Sequence, residues 1–372
     1  MSFPSDGYLK NGVLAGQTSN MSITLKTRWM KELPMEMNNR NNSIEIMRLL
    51  AAILIVAIHT APLYELNETA GFIATEVITR TAVPFFFLTS GYFFFKSKKS
   101  FGMQLLQYLI PYLAISLVYF SCDFVISCAG EFNLNLLIKY LDRKKLSFLI
   151  FGSWYHLWFF PAVISALCVF SIANKLNQTR VLASISIMLY IIGVLCCAYQ
   201  KCFISIAHIQ KVVTNPYFEA FRRIVLMGWP FFGLGYFLDY GKTIVSRYTH
   251  SMRSRFLLLI LIILLWLVEI LVVLRLGCYD NVALTFFLYP LVGYIMILLL
   301  LYPNAKYSRM GGWSNITSKY MYFFHPLLFL LLPRLKDIPN TIAFLFTVVL
   351  FCGTGLLIYL CKQMMRSNVE KT

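Results

Sequence analysis

The sequence predicts an all-α bundle of about ten membrane-spanning helices with both termini in the cytoplasm. Three observations lead there. Hydrophobic residues make up 59% of the 372 residues and charged residues only 13%, against roughly 25% in a soluble domain, so too few charges exist to clothe a water-facing surface. The apolar residues fall in long runs rather than alternating ten-residue strands. That selects helices over a closed barrel, the two backbones that satisfy their own hydrogen bonds in lipid. Outside the runs, Lys and Arg divide 20 to 11 in favour of the side holding the termini, and such an excess marks the cytoplasm.

Along the chain, residues 1–37 form a polar Ser/Asn/Lys-containing extension without an apolar core, neither signal peptide nor domain. It is expected to be disordered or to reflect a start site upstream of the native one, since Met35 and Met37 stand just before the first span. The membrane domain occupies 38–365, and 366–372 is a cytoplasmic tail. Its spans are 44–63, 72–95, 101–128, 155–173, 181–199, 224–238, 256–276, 282–302, 316–333 and 341–361. The sixth is short and carries Gly228, Gly233 and Gly235, so it is expected to kink or lean on a neighbour. Trp154, Tyr155 and Trp158 open the fourth span at the outer boundary, and Trp313 precedes the ninth on the inner side, as interfacial aromatic belts do.

The net charge of +17 is not a nucleic-acid signal, because most of it lies in loops and tails that set orientation. The lipid bilayer is the expected partner. The nine cysteines include no CxxC pair and read as small buried hydrophobes. A phosphate-binding Gly-rich loop, HExxH and GxSxG are all missing, and no metal site is expected.

Ionisable side chains at membrane depth are expensive, so each is a functional candidate. Arg48 and His59 share the first span, and eleven residues is close to three turns. They therefore lie on one helix face, about 16 Å apart along the axis. A guanidinium at the inner mouth can hold phosphate or pyrophosphate. An imidazole deeper in the span suits proton acceptance. The competing reading is an arginine reaching for the interface and a histidine that merely packs. Arg80 needs a carboxylate, a carbonyl or a watery cavity. Glu269 in the seventh span offers the carboxylate, as a structural pair or beside a substrate contact. His325 stands before Pro326 in mid-span, where freed carbonyls and a cavity, or a helix–helix hydrogen bond, account for it. His156 opens the fourth span, facing either an acceptor or headgroups.

Four blocks, in order, carry a resemblance. They are Arg48 with His59; Val83-Pro84-Phe85-Phe86-Phe87-Leu88-Thr89-Ser90-Gly91-Tyr92 after Arg80; Tyr155-His156-Leu157-Trp158-Phe159-Phe160; and Tyr322-Phe323-Phe324-His325-Pro326. Together they resemble the acyltransferase-3 family of bacterial membrane proteins over about residues 38–365. The surface-polysaccharide O-acetyltransferase branch is the nearest in character, and the membrane domain of VanT-type serine racemases is also similar. The resemblance implies ten helices and transfer of an acyl group, usually acetyl from acetyl-CoA, to a hydroxyl of a surface glycan or its lipid-linked precursor. No cofactor is expected to be bound tightly.

By motif, the resemblance makes His59 the essential histidine and Arg48 its companion, and puts Arg80, Ser90 and Tyr92 among residues lining the site. Many members carry Arg-x-x-Arg before a proline in the next helix. Here Gln104 and Gln107 precede Pro111, and Lys96, Lys98 and Lys99 are the nearest cations to grip the acyl-CoA with Arg48. The acceptor is expected near His156, Glu269 and His325. The runner-up function is a transporter-like permease, for example of an amino acid, as the VanT-type likeness suggests.

Overall fold

A computed structural model describes residues 41–127, 154–203, 215–277, 282–304 and 308–369. The N-terminal extension, the basic loop 129–153 and residues 204–214 of the loop 200–223 lie outside them. The described chain is helical: α1 Asn42–Thr60, α2 Glu68–Phe72, α3 Ala82–Lys96, α4 Phe101–Ser127, α5 Phe159–Lys175, α6 Thr179–Cys196, α7 Gln200–Phe203, α8 Pro216–Phe221, α9 Trp229–Tyr248, α10 Met252–Arg275, α11 Leu288–Leu301, α12 Ser308–Leu331 and α13 Asn340–Val369. Most described residues of the apolar runs read from the sequence are helical, the second and sixth runs partly through π-helical and 3-10 turns. Among the described residues, six helical stretches, α1, Glu68–Lys96, α4, α6, α10 and Asn340–Asn368, are long and apolar enough to cross a membrane. The apolar α5 and α11 are shorter, at 17 and 14 residues.

The bundle buries one set of apolar faces and leaves another outward. On α10, Leu257, Ile260, Leu261, Leu264, Val268 and Leu271 are all exposed. Their three- and four-residue spacing makes a continuous apolar stripe, of a size that suits acyl chains rather than water. Inside, Phe85, Phe87, Phe170, Phe231 and Phe232 are fully buried, with Phe170 and Phe232 ring centroids 5.4 Å apart. α1 packs chiefly on α12, and α3 chiefly on α9. That second pairing works through glycine. A Cβ on Gly91 would strike the Phe232 carbonyl, and one on Gly235 would strike the Gly91–Tyr92 backbone, so the two helices approach backbone to backbone as small residues allow.

Among the described residues, two stretches contain π-helical turns. Ile73–Val77 is a π-helical turn followed by the 3-10 turn Ile78–Thr81, and Arg222–Gly228 is a second π-helical turn leading into α9. A proline follows each, Pro84 and Pro230. Proline has no N–H, so it leaves the carbonyl four residues earlier without its helical donor and loosens the turn before it. The sixth span, expected to kink or lean on a neighbour, starts on this second turn and leans on α3 through Gly235.

Candidate functional site

α1 runs between two polar clusters. At its start, Arg48 pairs with Glu45 at 3.0 Å, and the other Glu45 oxygen accepts from Asn315 Nδ2 at 2.6 Å. The guanidinium lies over the Phe93 ring, 5.0 Å from its centroid. Tyr108, hydrogen-bonded to the buried Ser90, is in electrostatic reach of Arg48. Tyr92 is half-buried at this same end of α3, with the Lys96 ammonium 6.0 Å from its ring centroid. Lys96 pairs with Asp239 of α9. Lys98 and Lys99 are exposed in the following turn.

At the far end of α1, His59 opens onto a cavity of about 210 Å³. Its ring meets Tyr155 edge-on at 4.7 Å and stacks on His325 at 5.3 Å and 22°. His156 meets His325 at 5.5 Å and 65°. Three histidines, from the end of α1, the turn before α5 and the middle of α12, thus converge on one place. His59 is exposed to the cavity, while His156 and His325 are buried at 4% and 0%.

The local chemistry of α12 explains the attitude of His325. Pro326 cannot donate to the Tyr322 carbonyl. His325 Nδ1 lies 3.1 Å from that carbonyl and 2.8 Å from the Met321 carbonyl. Carbonyl oxygens only accept, so the proton belongs on Nδ1 and Nε2 carries a lone pair. That Nε2 is buried and has no hydrogen-bond partner among the described residues. One turn on, the Tyr119 hydroxyl is spliced into the helix. It donates to the Phe323 carbonyl at 2.8 Å and accepts from Leu327 N at 2.9 Å. Tyr322 in turn donates its hydroxyl to the His156 carbonyl at 2.7 Å, tying the α12 kink to the turn before α5.

The cavity wall also holds Arg80, Arg222, Arg223, Glu219 and Cys197. Here the expected pairing of Arg80 with Glu269 is corrected. Arg80 pairs with Glu76, one turn earlier on its own segment, and donates Nε to the Glu76 carbonyl at 3.2 Å. Residues four apart on a helix are neighbours, so the local carboxylate reaches Arg80 first. Glu269 is instead held near the start of α11, accepting from Phe286 N at 2.6 Å, Phe287 N at 2.8 Å and the Tyr199 hydroxyl at 3.2 Å. It does not line the cavity. Nor do Arg48, Ser90, Tyr92 or the three lysines, which gather around the other end of α1.

Sequence reasoning missed Arg222, Arg223, Glu219 and Tyr155. The arginines stand at the edge of an apolar run and look like loop charges, but the π-helical turn carries them into the cavity wall. Arg222 pairs with Glu219 and donates to the Cys197 sulfur at 3.2 Å. Arg223 pairs with Glu219 at 2.6 Å and covers the Trp158 ring at 5.4 Å. Glu219, three and four residues upstream, was the available signal. Trp158 and Tyr155, read as belt aromatics, serve as walls of the cavity.

A family model described as an acyltransferase domain matches residues 41–362. Two proteins named amino-acid racemase from Enterococcus faecalis are similar. One is 33% identical over 165 residues, 43% of this chain and 22% of the relative. The other is 29% identical over 167 residues, 42% of this chain and 23% of the relative. A serine/alanine racemase from Enterococcus gallinarum is 32% identical over 136 residues, 34% of this chain and 18% of the relative. The chain thus spans less than a quarter of these relatives' length. No solved structure matches it. With the model covering nearly the whole helical bundle, the chain belongs to the acyltransferase-3 family.

Proposed function

We propose that the chain is a multi-pass enzyme of the bacterial cytoplasmic membrane that moves an acyl group, acetyl in the simplest case, from acyl-CoA to a hydroxyl of a surface glycan or its lipid-linked precursor. The observation that carries this reading is the placement of His59. It is the exposed member of a histidine cluster at the cavity, its stacked partner His325 has a set tautomer, and it sits on the same helix as Arg48, about 16 Å away by helical rise.

The acceptor oxygen attacks the thioester carbonyl while His59 takes the hydroxyl proton. The carbon–sulfur bond breaks, CoA leaves as thiolate, and the proton passes from His59 to that sulfur. An ester and CoA-SH result. Arg48, backed by Glu45 and Asn315 and flanked by the Lys96–Lys99 turn, is suited to the anionic end of CoA on the cytoplasmic side. His156 and His325 hold the ring environment of His59, and the acceptor approaches through the cavity.

Glycan mass spectrometry of cells carrying His59→Ala tests this. Loss of the acetyl increment at unchanged protein level is expected, since a general base contributes about 10²–10⁴-fold. Full acetylation in that variant refutes the assignment. The likeness to proteins named amino-acid racemases favours a second reading, an amino-acid permease. Uptake of labelled serine into cells, independent of acyl-CoA, would establish it instead.

A further inference from the structure

Attack on a thioester carbonyl passes through a tetrahedral oxyanion, and a hydrogen-bond donor already in place beside that oxygen is usually the largest single aid to such a step. His59 is engaged with the acceptor proton, so this hydrogen bond has to come from elsewhere in the cavity wall. Among the described residues, three hydroxyls line it, those of Thr79, Tyr155 and Tyr322. Two are committed to backbone. Thr79 donates to the Thr75 carbonyl, and Tyr322 donates to the His156 carbonyl at 2.7 Å. A hydroxyl has one proton to give. The Tyr155 hydroxyl has the Trp154 indole within hydrogen-bonding reach, and an indole N–H only donates. The Tyr155 oxygen accepts there, and its proton is left for the cavity.

Placement agrees with this inventory. Tyr155 is 50% exposed, whereas both ring nitrogens of His156 and Nε2 of His325 are buried. Its ring meets that of His59 edge-on, with centroids 4.7 Å apart. The short turn that carries it is fixed on both sides of the residue. Leu157 N donates to the Trp154 carbonyl at 2.9 Å, and the His156 carbonyl holds Tyr322 of α12. A hydroxyl held this way needs little rearrangement at the moment of reaction. We propose that Tyr155 is a catalytic residue, the hydrogen-bond donor to the oxyanion that forms beside His59; this rests on the acyl-transfer reading. As the acceptor oxygen bonds to the thioester carbon, the carbonyl π pair moves onto the carbonyl oxygen, which takes the hydrogen bond from Tyr155, while His59 holds the acceptor proton. When the double bond re-forms, the carbon–sulfur bond breaks and the sulfur receives that proton from His59. Tyr155 keeps its own proton throughout.

The test combines cells with the purified full chain in nanodiscs. In cells, Tyr155→Phe should cut the rate of surface-glycan acetylation by about 10²–10³-fold at unchanged protein level, the usual effect of removing one such hydrogen bond. In nanodiscs, two analogues of acetyl-CoA with CH₂ in place of sulfur separate ground state from transition state. The methyl ketone copies the planar thioester, and the trifluoromethyl ketone hydrates to a tetrahedral centre. Tryptophan emission reports binding without turnover, because the Trp154 ring lies 6.0 Å from that of Tyr155. Tyr155→Phe should bind the methyl ketone like the parent and lose at least about tenfold in affinity for the trifluoromethyl ketone. The more acidic 3-fluorotyrosine in place of Tyr155 keeps the O–H and should tighten the trifluoromethyl ketone alone, which decides the matter if Tyr155→Phe does not fold.

Equal losses for both analogues in Tyr155→Phe overturn the oxyanion role, since the hydroxyl then only binds. So does a 3-fluorotyrosine chain that holds the trifluoromethyl ketone no more tightly than the parent. His59→Ala separates the two claims. Acetylation lost with His59→Ala but kept with Tyr155→Phe sinks the Tyr155 role alone. Acetylation kept in both variants sinks the acyl-transfer reading, and the Tyr155 role with it.

Discussion

Replacing Tyr119 with Phe removes a single oxygen from α4 and tests whether the kink in α12 holds the histidine cluster in place. That oxygen donates to the Phe323 carbonyl at 2.8 Å and accepts from Leu327 N at 2.9 Å. Without it, two groups buried among apolar neighbours lose their partners. At about 1 kcal/mol net per hydrogen bond, the loss is about 2 kcal/mol if α12 keeps its shape. The helix has one way to recover, because Leu327 N and the Phe323 carbonyl are each other's ordinary i→i−4 partners. Closing that bond lowers the loss to about 1 kcal/mol but straightens the helix between them, where His325 sits. The His325 ring then moves against His59. A displacement of about 1 Å near reacting groups costs on the order of 10²-fold in rate.

The assay pairs thermal unfolding in nanodiscs with acyl transfer at saturating acyl-CoA. Tyr119→Phe should melt lower and transfer at least about tenfold more slowly, with Leu327 N–H exchange reporting whether the bond has closed. A variant that melts and transfers like the parent refutes the splice. A variant that melts lower yet transfers at the parental rate refutes its link to His325.

Two further perturbations separate structure from chemistry. Glu269→Ala strips the acceptor from Phe286 N, Phe287 N and the Tyr199 hydroxyl, about 3 kcal/mol at ~1 kcal/mol each. It should lower melting while leaving the KM for acceptor unchanged, and a raised KM with parental melting would return Glu269 to the substrate site. Gly91→Ala puts a Cβ against the Phe232 carbonyl, where only backbone can yield. Overpacking of this kind costs about 1–3 kcal/mol, so unfolding should come earlier, and an unchanged melting temperature would mean that α3 and α9 do not meet so closely.

The helices were legible because lipid leaves the backbone little choice. Each long apolar run must satisfy its own hydrogen bonds, and the described residues of these runs are chiefly helical. Arg48 and His59 were legible for the same reason of period, since eleven residues return to one face. Partnerships were not. A list of charges in spans does not say which carboxylate reaches which guanidinium, and the distant Glu269 looked as eligible for Arg80 as Glu76. The local geometry decided it. Arg222 and Arg223 were hidden by their position at a span boundary, because nothing in a hydropathy profile distinguishes a loop charge from one turned inward by a π-helical turn. The convergence of His59, His156 and His325 was equally hidden. It depends on how three separate segments pack, and only the Pro326 kink was written locally.

The division of polar groups between the two ends of α1 constrains any transfer chemistry in this fold. Arg48, Lys96, Lys98 and Lys99 cannot act directly on a group in the His59 cavity, because about 16 Å of helix lies between Arg48 and His59. An acyl-CoA held at that end must therefore reach its thioester toward His59, between α1 and the helices packed on it. The acceptor faces the opposite restriction. The cavity is small, its wall is aromatic and cationic, and the only exposed histidine of the cluster is His59. Donor and acceptor would thus meet at one imidazole from two directions, with neither passing through the other's site. Substitutions at Arg48 should then change the KM for acyl-CoA, and those at Arg223 the KM for acceptor. Replacing His59 should depress kcat with either substrate saturating, and a variant that crossed these lines would show that the two ends are not separate.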